Sequence, residues 1–141
     1  MSYAYGEPLE NIGTDEWDLT EFEGRDSVDL LARMIYSEAR GESWAGKQGV
    51  AHVAKNRKAN GSWGNTYESV LLASKQFAGM TTESARKPDL SSQAWNDCLY
   101  IAMNMDTQDN PIGNRLYFSV GLPSWAIDEM QIGNHWFYNE G

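Results

Sequence analysis

Residues 26–42 read Asp-Ser-Val-Asp-Leu-Leu-Ala-Arg-Met-Ile-Tyr-Ser-Glu-Ala-Arg-Gly-Glu, and this run decides the fold. Asp26 and Ser27 are both N-cap types, since their side chains accept from the unpaired N–H groups of a first turn. Asp29 places a carboxylate in that turn, where the helix dipole favours it. Val28, Leu31, Met34 and Ile35 recur at helical spacing, and Gly41 supplies the stop. At about 100° per residue from Val28, Leu31 lies at about 300°, Met34 at about 240° and Ile35 at about 340°. Glu38 falls at about 280°, between Leu31 and Met34. Arg33 and Arg40 fall at about 140° and about 120°, so both guanidiniums are expected in solvent. One carboxylate therefore lies along the apolar face.

Outward from this helix the pattern continues. A second helix is expected from about Ala45 to Ala59, carrying Val50, Val53, Ala54 and Arg57 and ending before Gly61. Asn65 and Thr66 open a short helix through Val70 and Leu72, and Ser91 or Ser92 opens another through Trp95, Cys98, Leu99 and Ala102. Asp109, Asn110, Pro111 and Gly113 form a turn cluster. Leu116–Phe118 reads as a strand, and Gln131–Tyr138 as a second one interrupted by Gly133. The expected class is α+β: a small, mostly helical domain with a short C-terminal β-hairpin.

Residues 1–25 hold Gly6, Pro8 and Gly13, many acids and no sustained period. They read as an acidic leader, extended or loosely docked, with Tyr3, Tyr5, Trp17 and Phe22 as possible anchors. Residues 26–141 are read as the functional domain. The chain of 141 residues carries a net charge of −9. Eight of its carboxylates precede Ser27, so the remainder is close to neutral. Such a balance argues against nucleic-acid binding, which needs clustered cations. A single cysteine, Cys98, excludes an internal disulfide. No apolar run is long enough for a membrane span, and the N-terminus lacks the basic and apolar regions of a signal peptide.

Burying Glu38 as an anion is costly, and a carboxyl group so placed responds with a raised pKa. A glutamic acid kept protonated near neutral pH is what a general acid needs, and glycosidic cleavage uses that device. The plain alternative is that Glu38, in the last turn, reaches out past the helix end. Trp44, Trp63, Tyr117, Trp125, Trp136 and Tyr138 lie in or beside loops and the hairpin. Flat rings with a polar handle suit the apolar faces of sugars, although each ring alone is equally at home in a core. His52 and His135 are widely separated and Cys98 stands alone, which makes no zinc spacing; no metal and no cofactor are expected. His52, mid-helix, reads as structural. Ser37 and Ser119 lack a base partner for a triad.

The string Leu31-Ala32-Arg33-Met34-Ile35-Tyr36-Ser37-Glu38-Ala39-Arg40-Gly41-Glu42 resembles the signature of the spore cortex-lytic, SleB-like cell-wall hydrolases. Further blocks match in order: Val50 to Arg57, Asn65 to Val70, Gln76-Phe77, Asn110 to Phe118, and Ile132 to Phe137. The resemblance spans about residues 29–138. It implies a lysozyme-like α+β domain that cuts peptidoglycan glycan strands by lytic transglycosylation, with Glu38 as the catalytic acid and base. No second carboxylate stands at helical or strand spacing from Glu38. Glu42 lies beyond Gly41, and Asp106 and Asp109 lie in a loop.

Gln76 is read as a polar contact to a sugar N-acetyl group, with Phe77 as an apolar wall. Tyr117 would position the bond being cut or hydrogen-bond Glu38, and Trp125 would offer a sugar platform. His135 is read as a cleft-orienting imidazole or a satisfied structural one. Two departures stand in the hairpin region: Ser119-Val120 replaces the family's Asn-Pro, and Ile112 replaces its Thr. A muramidase that admits water is the near alternative. A non-catalytic glycan-binding or structural module of a spore or phage particle is the distant one. The expected place of action is the cell wall or spore cortex, reached through phage lysis or assembly in a sporulating cell.

Overall fold

The computed structural model describes residues 5–13 and 15–141. Tyr3 lies outside them. Five α-helices come first: α1 (Ser27–Ala39), α2 (Trp44–Asn60), α3 (Tyr67–Leu71), α4 (Glu83–Arg86) and α5 (Gln93–Met103). Three strands close the chain: β1 (Tyr117–Ser119), β2 (Ala126–Ile132) and β3 (His135–Glu140). Short 3-10 turns span Thr20–Phe22 and Ala78–Thr81. The class is α+β and mostly helical, as the sequence pattern implies.

Side chains at the helix starts do the capping that the sequence suggests. Asp26 accepts from Val28 N–H, Ser92 from Trp95 N–H, and Thr66 forms a reciprocal capping box with Ser69. Ser43, which the sequence reading did not single out, caps α2 by accepting from Gly46 N–H. The strands form one antiparallel sheet in the order β1-β3-β2. This corrects the two-strand hairpin. Gly133 does not interrupt a strand; with Asn134 it makes a two-residue turn between β2 and β3, where Ile132 pairs with His135. Its φ of 59° is the left-handed backbone that a tight hairpin turn requires.

α1 is the central helix. α2, α3, α4, α5 and the Ala78–Thr81 turn all pack against it. Leu30, Leu31, Met34 and Ile35 are fully or almost fully buried, and Phe22 and Phe77 join the same core. A helix enclosed on every side has no solvent face, and this overturns the expectation for Arg33. Its guanidinium is 0% exposed. It pairs with Asp29 at 2.7 Å and donates to the carbonyls of Glu7, Ala85 and Arg86 at 2.6–3.0 Å. Arg40 is exposed as expected and lies over the Tyr36 ring.

The described part of residues 1–25 reaches this same ion pair. Gly6 N–H donates to Asp29 at 2.7 Å, Arg25 bridges Glu7 and Asp29, and Leu9 N–H donates to the Arg86 carbonyl. Phe22 is completely buried, Trp17 is half-buried, and Tyr5 packs against the core. His52 Nδ1 bonds the Gln48 carbonyl within α2. Cys98 is buried in α5, and burial pushes its thiol up to about 12.

Candidate active site

Glu38 sits in the last turn of α1, half-buried. Its Oε2 accepts the N–H of Gly79 at 3.1 Å. Burial raises the carboxyl above the ordinary glutamate range, and the Gly79 hydrogen bond partly offsets the rise. No neighbouring charge among the described residues contributes to the shift. The carboxyl is thus a lone titratable group with one amide donor. It combines a high proton affinity with a partner able to receive the anion when the proton leaves.

Gly79 is required by closeness. A Cβ there would stand 2.9 Å from the Glu38 carboxyl carbon and closer still to Ser37 Oγ. Gly79→Ala is expected to push Glu38 off its seat and break the Gly79 hydrogen bond, which raises the Glu38 pKa further. NMR titration of the Glu38 carboxyl checks this, and an unchanged titration in the variant would show that the contact is passive.

Glu42, one turn beyond, has a different task. Its Oε1 accepts Asn134 N–H and its Oε2 accepts the Asn134 side-chain amide, both at 3.0 Å. These bonds hold its carboxyl below the ordinary range. Both oxygens are committed to tying the β2–β3 turn to the end of α1. His135 follows that turn, 6% exposed, its ring against Phe118 and Phe137. Its Nδ1 has no hydrogen-bond partner among the described residues. Burial lowers its pKa and the Glu42 charge partly opposes this, so the imidazole is neutral at pH 7.

The other expected contacts collect around Arg57. This α2 side chain is 4% exposed, lies 4.3 Å from the Trp63 ring centre and 5.1 Å from those of Phe77 and Tyr117. It donates to the Leu116 carbonyl and to Gln76 Oε1. Burial lowers its pKa to about 10. Gln76 is exposed beside it, but Phe77 is 1% exposed and belongs to the core, so it offers no free face to a sugar. Tyr117 is not hydrogen-bonded to Glu38: its hydroxyl donates to Glu140 at 2.8 Å. Trp125 packs edge-on against Tyr117 and Tyr138 and stays 47% exposed. A groove of about 630 Å³ opens beside Tyr117, between the end of α2 and the far end of the sheet. Glu38 is not among its lining residues.

A family model described as cell wall hydrolase matches residues 41–138, well over half of the chain. The chain belongs to the cell wall hydrolase family. The matched stretch begins just past Glu38 and takes in Glu42, Arg57, Gln76, Tyr117, Trp125 and His135. Among curated proteins, a spore cortex-lytic enzyme of Bacillus cereus is 26% identical over 145 residues. That alignment covers 92% of this chain and 49% of the relative, so the chain spans about half the length of the curated relatives it matches.

Two solved structures share the fold of this cell wall hydrolase. The catalytic domain of the germination-specific lytic transglycosylase SleB from Bacillus anthracis superposes with a TM-score of 0.64 at 24% identity. The match covers 83% of this chain and 98% of that one. The catalytic domain of the Bacillus cereus SleB protein gives 0.64 at 23% identity, over 93% and 95%.

Sequence reasoning assigned no structural role to three residues of this candidate site. Gly79 is one glycine in a loop and carries no signal of its own. Glu42 was weighed only as a second carboxylate, although its bond to Asn134 makes it a clamp. Arg57 appeared as a helix-spacing residue and as the end of a matching block, with no role assigned; the signal was a cation on an otherwise buried helix face, ringed by aromatics in later segments.

Proposed function

We propose that this cell wall hydrolase cleaves peptidoglycan glycan strands between N-acetylmuramic acid and N-acetylglucosamine as a lytic transglycosylase. The observation that carries the reading is Glu38: a half-buried carboxyl of raised pKa whose recorded polar partner is Gly79 N–H. The protonated Glu38 gives its proton to the glycosidic oxygen as the C1–O bond breaks. The resulting carboxylate, held by Gly79 N–H, takes the proton from the muramyl C6 hydroxyl as that oxygen bonds to C1. A 1,6-anhydro end forms, water is not consumed, and Glu38 returns to its acid form. One carboxylate serves both steps, whereas hydrolysis by the usual routes uses two. Glu42 is a poor candidate for the second, because both of its oxygens are occupied. The spore cortex-lytic and lytic transglycosylase descriptions of the relatives point the same way.

The reaction starts from protonated Glu38, so its rate falls as pH rises through that group's pKa. Because burial raises this pKa, activity extends to higher pH than an ordinary glutamate would allow. Mass spectrometry of murein digested in ¹⁸O-labelled water is the test. Anhydro-muramyl ends without label are expected. Labelled reducing ends would make the enzyme a muramidase, and no released glycan from several murein types would make it a binding module.

A further inference from the structure

The groove at the far end of the sheet is separate from the Glu38 site. The β2–β3 turn touches Glu42, at the Glu38 end, while the groove is built on Asn139 and Glu140 at the other end of β3. At about 3.3 Å per residue, His135 and Glu140 are about 16 Å apart along the strand. Arg57 connects the two regions, since it bonds Gln76 on one side and lies on Tyr117 on the other.

The lining is amide-rich and already braced. Asn139 accepts from Leu116 N–H and donates to Asn114, and Tyr117 is fixed by Glu140. The side chains of Asn60, Asn114 and Asp128 are exposed, and among the described residues the side-chain amide nitrogens of the two asparagines and the Asp128 carboxylate have no protein hydrogen-bond partner. Asp128 stands at φ 56° in the β2 irregularity and lines the groove. Trp125 lies outside the lining but at the same end of the sheet, where its carbonyl accepts Gly141 N–H, and its exposed indole is braced by Tyr117, which does line the groove, and by Tyr138. Amide donors, a braced tyrosine and an exposed flat ring suit a neutral N-acetylated sugar. Asp128 and Glu140 disfavour an anionic polymer. Arg115 nearby donates to the carbonyls of Asp128 and Ile112 and keeps its charge, which leaves the two carboxylates in excess by one.

We infer that this groove is a second glycan-binding site, which holds a stretch of N-acetylated strand away from the cut bond. The inference rests on the glycan-strand reading above, but its test separates the two. Ala59 is exposed on α2 and lines the groove, so Ala59→Trp fills the groove from the surface. Placed in a Glu38→Gln background, it is expected to weaken murein binding about tenfold in co-sedimentation, the scale of one lost anchoring contact. Trp125→Ala in the same background is expected to act likewise. Thermal melts confirm that each variant is folded.

In NMR titration with a tetramer of N-acetylglucosamine, shifts are expected at Asn60, Asn114 and Tyr117. Wild-type affinity in Ala59→Trp, with shifts confined to residues near Glu38, would overturn the groove and leave the transglycosylase reading standing. Shifts produced by stem peptide alone would also overturn it. Binding through the groove without product release would uphold the groove and overturn the catalytic reading.

Discussion

Glu38→Gln is expected to reduce release of anhydro-muramyl products by at least about 10²–10⁴-fold, the usual worth of one general acid or base. The loss should sit near or beyond the upper end, because the same carboxyl serves in both proton transfers. Glutamine keeps the shape and can still accept from Gly79, so binding of insoluble murein should survive. The same variant carries a second signature. A carboxyl whose folded pKa is raised contributes stability below its unfolded pKa and loses that contribution as pH rises through the folded value. Glutamine has no such loss, so the variant should melt higher than wild type at pH 7, and the gain should shrink to nothing towards pH 3. Calorimetry across that range, beside digestion assays, checks both halves. A variant that digests murein at the wild-type rate would remove Glu38 from the mechanism.

Asp29→Ala is expected to be the most damaging single change to stability. Asp29 is 0% exposed and accepts from Arg33 at 2.7 Å, Arg25 at 2.8 Å and Gly6 N–H at 2.7 Å. Its removal leaves the Arg33 guanidinium buried without a carboxylate, which typically costs about 3–5 kcal/mol. Arg33→Met should cost less, since Asp29 keeps Arg25 and Gly6 and the apolar stem is retained. Urea unfolding of the two variants gives the comparison, and equal losses would refute the argument. The effect extends to the segment before α1. Two of the three donors to Asp29 come from residues 1–25, as does the completely buried Phe22. Removing that segment should therefore weaken the helix that carries Glu38, rather than only lowering the charge.

Four of the five helices were legible because their caps and apolar spacing are local; α4, a single turn with no side-chain cap, was not. Asp26, Thr66 and Ser92 mark their starts in sequence and in structure alike. Arg33 was misread because a helical wheel assumes one buried face. α1 is covered all round, and the carbonyls that receive Arg33 belong to Glu7, Ala85 and Arg86, far away in sequence. β2 was largely missed because Asp128, Glu129 and Gln131 face solvent and its alternation is broken at the bulge. The position of Glu38 on the apolar stripe followed from spacing alone. That Tyr117 turns to Glu140 and that Gly79 meets Glu38 depend on how distant loops pack, which no local pattern records.

The single buried thiol of Cys98 has a practical consequence. A thiol of pKa about 12 inside α5 hardly forms thiolate while the fold is intact. Alkylating reagents therefore reach it when the core opens, and its labelling rate counts those openings one molecule at a time. The enzyme carries a built-in reporter of its own unfolding. The quiet native background also lets a cysteine introduced on the groove rim be tagged selectively and followed on an intact cell wall.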